Sequence, residues 1–179
     1  VWMGWRGYGR AGDEGELTNG EDLNEEERLK MATELYRMGN HLFEMGKVDQ
    51  AEMKFREATD MNPQHAFAWA NLGNILRDRG DVDEAIRSHE LAYQLVPTRA
   101  RGAYNLAVSL QTAGRYSPAE ATYQRAIELS AASTQAGFDV CRAYSNLGVT
   151  LQAQGKLAEA EGAYKSALEI NPFHRSPGL

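Results

Sequence analysis

The chain has 179 residues, 42% of them hydrophobic and 25% charged, which fits one domain or one short repeat array with a sizeable core. No stretch approaches the roughly 18 consecutive apolar residues of a membrane-spanning helix. The formal net charge of −6 argues against nucleic-acid binding, which depends on clustered Lys and Arg. The single cysteine, Cys141, excludes an internal disulfide framework and a zinc site built on several thiolates, and we expect a buried thiol.

Residues 1–23, here called the leader, are rich in glycine and acidic residues and show no periodicity. Residues 1–27 hold two basic and eight acidic side chains, so the rest of the chain is neutral overall. Alone, the leader should be flexible. However, Trp2, Trp5 and Tyr8 stand three apart among glycines, and such a segment can dock on a surface. A simple flexible tail is the alternative.

The leader lacks the apolar run of a signal peptide, and the chain starts with Val rather than Met, which suggests a processed protein or a fragment. An intracellular, cytoplasmic location is our expectation. The first helix should begin at Asn24, because Asn is a favourable N-cap and Glu27 stands three residues later, as in a capping box.

A 34-residue repeat follows. Pro63 and Pro97 each come after an apolar stretch and are 34 residues apart, and Pro172 ends a third stretch of this kind. This frame gives units at 32–65, 66–99, 100–133 and 141–174. The fifteenth, twentieth and twenty-seventh positions are identical in all units: Gly46, Gly80, Gly114 and Gly155; Ala51, Ala85, Ala119 and Ala160; Ala58, Ala92, Ala126 and Ala167.

The repeated residues predict a helix–turn–helix pair in each unit. Glycine can adopt the left-handed conformation that ends a first helix. The alanine columns let two helices approach closely, and proline cannot continue the second helix. The twenty-fourth position holds Phe55, Tyr123 and Tyr164, with His89 in the second unit. We therefore predict an all-α fold.

Seven extra residues, at about 134–140, separate the third and fourth units. Seven residues are close to two helical turns, so the first helix of unit four could start early and keep its packing face. The apolar stripe Phe138, Cys141, Tyr144, Gly148 and Leu151 favours this reading. We predict a helix about two turns longer than its counterparts. The alternative is a looped-out insertion, which Gly137 and the Ser/Ala run favour.

The pattern Trp69, Leu72, Gly73, Ala85, Ala92 and Pro97 resembles that of the tetratricopeptide repeat (TPR) family. The resemblance covers about residues 30–174 and implies a right-handed superhelical solenoid of four repeats, within an array at 24–174 and a tail at 175–179. Unit three departs from the pattern at Ala103, Ala107 and Ala131, and unit one has Leu35 and Met38.

A solenoid needs a polar cap at each end. After the last repeat only a short tail follows, so we expect its final helix to be uncovered at Leu157, Ala160, Tyr164, Ala167 and Leu168. This favours a longer protein, or an end that another subunit covers.

No catalytic or cofactor site is predicted. The histidines His41, His65, His89 and His174 lack metal-ligand spacing, and no glycine-rich phosphate loop or Gly-x-Ser-x-Gly elbow occurs. Asp81, Asp83 and Glu84 stand at a helix start, where the helix dipole favours carboxylates. We expect no enzyme in this span and no cofactor.

Binding is the remaining function, and the helical wheel indicates which side of each first helix would form the binding surface. The second, sixth, ninth and thirteenth positions of each first helix lie opposite the core-facing positions. In the family that the chain resembles, this side lines the concave groove. The predicted groove residues are Arg37, Asn40, Phe67, Asn71, Asn74, Arg101, Asn105, Arg142 and Asn146, with Thr33, Glu44, Asp78, Val108, Thr112, Val149 and Ala153 beside them.

Asn71, Asn105 and Asn146 form a row whose amides can bind a peptide backbone. The row is similar to the asparagine ladder of the O-linked N-acetylglucosamine transferase repeats and to the grooves of kinesin light chains. Repeat duplication or simple solvent exposure would also produce it. A carboxylate clamp of the chaperone-binding kind is disfavoured, because Tyr36 and Asn105 stand where two of its basic residues would be.

We therefore predict a non-catalytic scaffold that holds a peptide segment of a partner protein. Two alternatives are kept. The repeats could be the substrate-selecting arm of a larger glycosyltransferase, or the chain could be a structural subunit of a multiprotein assembly.

Overall fold

The structure, a computed structural model, describes residues 23–132 and 139–171. Within these ranges it contains the helices α1 (Glu25–Glu44), α2 (Val48–Met61), α3 (Ala66–Arg79), α4 (Val82–Leu95), α5 (Ala100–Thr112), α6 (Tyr116–Ala132), α7 (Val140–Ala153) and α8 (Leu157–Ile170). Most of the leader, the insertion and the tail lie outside the described residues.

The helices pack as consecutive antiparallel pairs, α1 with α2, α3 with α4, α5 with α6 and α7 with α8. The second helix of each pair also packs against the first helix of the next pair, so α2 contacts α3, α4 contacts α5 and α6 contacts α7. The predicted all-α architecture of four helix–turn–helix repeats is confirmed. No helix in the described ranges is long and apolar enough to cross a membrane.

The predicted start of α1 is confirmed. Asn24 is its N-cap, and its side chain accepts a hydrogen bond from the Glu27 backbone N–H at 3.0 Å. In return, the Asn24 backbone N–H donates to Glu27 Oε2 at 3.0 Å. This reciprocal pair satisfies two N–H groups that a helix start leaves without intrahelical partners.

The turn between the helices of each repeat depends on the fifteenth-position glycine. Gly46, Gly80, Gly114 and Gly155 have φ values of 74°, 98°, 70° and 77°. An L-residue with a side chain rarely adopts this conformation, and glycine does so without a Cβ penalty. The first helix therefore ends one or two residues before this glycine in all four repeats.

The two alanine columns are buried at every repeat, within the core of the helix array. The eighth-position glycines Gly39, Gly73 and Gly148 lie directly against the ring at the twenty-fourth position of the same repeat. In the second repeat that ring is His89, which is buried and whose Nδ1 lies 2.8 Å from Ser109 Oγ on the next helix. Burial lowers the pKa of His89 to about 4.

Ion pairs connect successive repeats. Arg79 pairs with Asp49 and Glu52, and Arg115 pairs with Asp83 at 2.7 Å. Between repeats three and four, Lys156 Nζ lies 2.7 Å from Glu120 Oε2, and the hydrogen bond from Lys156 lowers the Glu120 pKa. The repeats are thus joined by polar contacts as well as by apolar packing.

The prediction of a longer first helix in repeat four is wrong. Helix α7 has 14 residues, as α3 has, and it begins at Val140. Its N-cap is Asp139, whose side chain accepts a hydrogen bond from the Arg142 backbone N–H. This cap satisfies a backbone N–H group that the first turn of the helix leaves without an intrahelical partner. The helix therefore begins here, and the apolar spacing does not extend it toward the N-terminus. Phe138 and most of the insertion lie outside the described residues.

The expected exposure of the last helix is also largely wrong. Ala160, Tyr164 and Ala167 are buried, because they pack against α7. Leu157 is 66% exposed, in agreement with the prediction. Cys141 is buried, its Sγ donates to the Ala167 carbonyl at 3.2 Å, and burial raises its pKa, so the predicted structural thiol is confirmed.

Candidate functional site

The predicted groove residues lie on the first helices, which form a layer of their own. Helix α3 contacts α5, and α5 contacts α7. A hydrogen bond from Asn71 Nδ2 to Asn40 Oδ1, at 2.7 Å, connects α1 with α3 on the same side. The predicted residues of neighbouring repeats are therefore brought next to one another along this layer.

A pocket of about 220 Å³ opens where repeats two and three meet. Helices α3, α4 and α5 and the turn between α4 and α5 contribute most of its walls, and α1 contributes one ring. Its lining residues are Tyr36, Ala66, Phe67, Ala70, Asn71, Asn74, Ala92, Val96, Arg99, Arg101, Gly102 and Asn105.

The structure thus brings together one part of the predicted set. Phe67, Asn71, Asn74, Arg101 and Asn105 line this pocket. The other predicted residues, Arg37, Asn40, Arg142 and Asn146, are not among its lining residues. A second cavity of about 80 Å³, lined by Phe43, Phe55, Asn71 and Asn74, places those two asparagines beside both spaces.

One wall of the pocket is aromatic and cationic. The ring centroid of Tyr36 lies 4.8 Å from that of His65 and 6.4 Å from that of Phe67. Arg99 places its guanidinium 4.4 Å from the centroid of the Phe67 ring, a cation–π distance. Phe67 is nevertheless 45% exposed. The wall therefore offers an accessible ring beside a positive charge.

The asparagines differ in their hydrogen bonds. Asn71 uses one N–H toward Asn40, and Asn74 Oδ1 accepts from Arg77 at 3.2 Å. Among the described residues, the side chain of Asn105 has no hydrogen-bond partner. A primary amide has two N–H donors and one carbonyl acceptor, so Asn71, Asn74 and Asn105 all retain donors for a ligand.

In the fourth repeat, the asparagine of the row binds a side chain of repeat three. Asn146 Nδ2 donates to the Tyr104 hydroxyl at 3.0 Å, so this amide connects α7 to α5. Arg142 pairs with Asp139 at 3.6 Å, and Arg37 pairs with Glu34 at 2.8 Å, each within or beside its own helix. The three asparagines of the row are therefore not equivalent.

Sequence reasoning missed Tyr36 and Arg99 as lining residues. Tyr36 is at the fifth position of its repeat, between the core face and the groove face of the helical wheel. Arg99 is the last residue of its repeat and the N-cap residue of α5. Its pairing with Phe67 joins residues 32 positions apart, and a helical wheel contains no such information.

In the part of the chain that the structure describes, no group of His, Cys, Asp and Glu is arranged to hold a metal ion. The pocket lining has Arg, Tyr and Asn side chains, but no carboxylate or thiol. Its chemistry is suited to hydrogen bonding, ring stacking and the binding of negative charge.

The geometry defines a class of protein, an array of helical hairpins whose first helices line a polar and aromatic pocket between repeats two and three. Two models described as tetratricopeptide repeats match the chain, one at residues 36–100 and one at residues 98–172. The chain belongs to the tetratricopeptide repeat family. Domains of this family commonly mediate protein–protein interactions, and no catalytic domain is identified here.

Solved structures share the fold. MamA is 23% identical, with a TM-score of 0.70, over 79% of this chain and 78% of MamA. YrrB, a TPR protein with an unusual peptide-binding site, is 22% identical, with a TM-score of 0.68, over 80% and 70%. The first TPR domain of Spaghetti (RPAP3), bound to the HSP90 peptide SRMEEVD, is 20% identical, with a TM-score of 0.63, over 71% and 95%. Among curated protein sequences, no match is found.

Proposed function

We propose that this chain is a non-catalytic scaffold that binds an extended peptide segment of a partner protein, with the pocket between repeats two and three at the centre of the binding site. The observation that carries the proposal is that Phe67, Asn71, Asn74, Arg101 and Asn105 meet in one pocket. These residues come from two repeats and occupy register positions on the side of their helices opposite the core-facing positions.

The hydrogen-bonding pattern supports a peptide as the ligand. Asn71 and Asn105 stand on the contacting first helices α3 and α5, and both line the pocket and retain amide donors. A peptide backbone carries one carbonyl acceptor per residue, so two fixed amides can hold it in register. The exposed Phe67 ring and apolar lining residues such as Ala70 and Val96 can contact a side chain of the same segment.

The test uses the double variant Asn71→Ala/Asn105→Ala. Affinity purification with the tagged chain followed by mass spectrometry identifies partners, and a peptide from a recovered partner is then titrated against each variant. Each lost hydrogen bond is worth about 1 kcal/mol, so we expect the affinity to fall by roughly 10-fold to 100-fold.

The matched control is Gln94→Ala/Gln124→Ala, which removes two exposed amides from α4 and α6. The control should bind like the unmodified chain. Equal binding by both double variants, with unchanged thermal stability, would show that the pocket is not the binding site.

Two further functions are proposed as alternatives. The asparagine row, with Asn71 and Asn105 at the pocket, also suits the substrate-selecting arm of a glycosyltransferase. The full-length open reading frame tests this, since such an enzyme needs a nucleotide-sugar-binding domain. A structural subunit of an assembly is the other alternative, and it predicts that purification recovers a fixed set of partners even from the Asn71→Ala/Asn105→Ala variant.

A further inference from the structure

In the later repeats, one face of the first helix packs against the preceding second helix, and in α1 the corresponding face is exposed. Met38 is 43% exposed, whereas the residues at the same seventh position in the later repeats, Leu72, Leu106 and Leu147, are 2%, 8% and 6% exposed. In the later repeats, the second helix of the preceding repeat packs on the first helix. Among the described residues, no helix precedes α1.

Met38 belongs to a row of exposed methionines. Met31, Met38 and Met45 are spaced by seven residues, which is close to two helical turns, so they stand in line along α1. They are 38%, 43% and 54% exposed. We call these three residues the methionine stripe. At a rise of 1.5 Å per residue it is about 21 Å long.

The aromatic residues of the leader match this stripe in chemistry and reach. Trp2, Trp5 and Tyr8 span six residues, about 20 Å when extended, which is the length of the stripe. Methionine sulfur and methyl groups make favourable contacts with aromatic rings, and a flexible methionine row adapts to their shape.

The connection is also long enough. Fifteen residues lie between Tyr8 and Asn24, and the sixteen steps from one to the other reach about 53 Å when extended. Met38 lies about 20 Å along α1 from its first residue, Glu25. The segment between Tyr8 and α1 contains the acidic residues Asp13, Glu14, Glu16, Glu21 and Asp22, and ionised carboxylates favour water over an apolar surface.

We propose that the leader packs Trp2, Trp5 and Tyr8 on the methionine stripe of its own chain. The leader thus takes the place that a preceding second helix occupies in the later repeats. A second copy of the chain is the competing occupant. Attachment to the same chain gives the leader a high effective concentration at the stripe, which favours it over a second molecule.

The test uses tryptophan fluorescence in the full chain. The chain has three tryptophans, so a Trp69→Phe background leaves only Trp2 and Trp5 to emit. We expect emission shifted to the blue and acrylamide quenching reduced, relative to a synthetic peptide of residues 1–22. Met38→Lys should shift both values to those of the free peptide. Met53→Lys, which changes a methionine of α2 that is 58% exposed, should leave both unchanged.

A second measurement avoids any change in the helices. In chains with ¹³C-labelled methionine methyl groups, Trp2→Ser/Trp5→Ser should shift the NMR signals of Met31, Met38 and Met45 and leave that of Met53 in place. Emission equal to that of the free peptide, unchanged quenching in a folded Met38→Lys variant, or a blue shift that grows with protein concentration would each overturn the proposal.

Discussion

Within each repeat, the residue at the eighth position decides how closely the two helices approach. A Cβ placed on Gly148 would lie 2.5 Å from Tyr164 Cε1, and one on Gly39 would lie 2.6 Å from Phe55 Cε1. Repeat three has alanine, Ala107, at this position and Tyr123 at the twenty-fourth, both in one core cluster, and it keeps the same helix pair. The glycine is therefore a packing residue with a measurable cost of substitution.

Gly148→Ala should destabilise the chain by about 1–3 kcal/mol, because the added methyl group forces the Tyr164 ring out of its position. The measurement is urea unfolding followed by circular dichroism. Gly162→Ala is the control, since nothing lies within 4 Å of a Cβ there and alanine favours a helix by about 0.5–1 kcal/mol. A Gly148→Ala chain as stable as the control would contradict this account.

The sequence predicts part of the pocket lining, residue by residue. Register on the helical wheel placed Phe67, Asn71 and Asn105 on the side of their helices that lines the pocket, and the 34-residue period repeats the orientation of Asn71 at Asn105. The period could not identify the Arg99–Phe67 stacking or the Asn146–Tyr104 hydrogen bond. Both contacts depend on the conformations that long side chains adopt between helices. The repeat pattern contains no information about these conformations.

At the scale of elements, helix boundaries follow capping more closely than apolar periodicity. The start of α1 was predictable because Asn24 and Glu27 form a capping box that is visible in the sequence. The early start expected for α7 rested on a stripe of apolar residues alone. The stripe correctly identified the buried face at Cys141, Gly148 and Leu151, but Asp139 determines where the helix begins.

Contacts between elements are unequal in their exposure to water. Glu120 on α6 has a side chain that is 14% exposed, and it binds Lys156 and Gln154 of the next repeat. Glu161 on α8 pairs with Lys165 four residues later, and its side chain is 67% exposed. Water screens the second pair and leaves the first one stronger.

Glu120→Ala should therefore destabilise the chain by about 1–3 kcal/mol, since it leaves a partly enclosed Lys156 and Gln154 without their acceptor. Amide hydrogen exchange should become faster in α7 and α8 first. Glu161→Ala is the matched control and should leave the free energy of unfolding nearly unchanged, because water screens its pair with Lys165. Equal effects of the two substitutions would refute the distinction.

The whole molecule is a linear array, in which each repeat depends on its neighbours. His89 lies at the middle of this array and connects α4 to Ser109 on α5. Because desolvation lowers its pKa from 6.5 to about 4, the folded chain holds His89 neutral at a pH where an unfolded chain protonates it. The joint between repeats two and three is thus sensitive to acid.

The linkage between protonation of His89 and folding sets the direction in which stability changes with pH. The contribution of neutral His89 is fully present above about pH 6.5 and is lost as the pH falls toward about 4, because the unfolded state binds the proton first. A shift of this size corresponds to about 3 kcal/mol. His89→Phe/Ser109→Ala removes the titrating ring and its hydroxyl partner together, and it gives repeat two the ring that Phe55 supplies in repeat one.

The free energy of unfolding should be measured in urea at about pH 7, 6 and 5. We expect it to fall less steeply with pH in the double variant than in the unmodified chain. Burial also lowers the pKa of His65, so some dependence should remain. Parallel curves for the two chains would show that His89 does not control the acid response.

The turn glycines and the packing glycines are required for different reasons. Gly46, Gly80, Gly114 and Gly155 have positive φ and open space where a side chain would stand. They are required for their handedness rather than for their small size, whereas Gly39, Gly73 and Gly148 are required for their size. A chemically synthesised chain with D-alanine at the four turns should keep the fold, since a mirror-image residue prefers that backbone conformation. The same residue at Gly148 would oppose the handedness of α7.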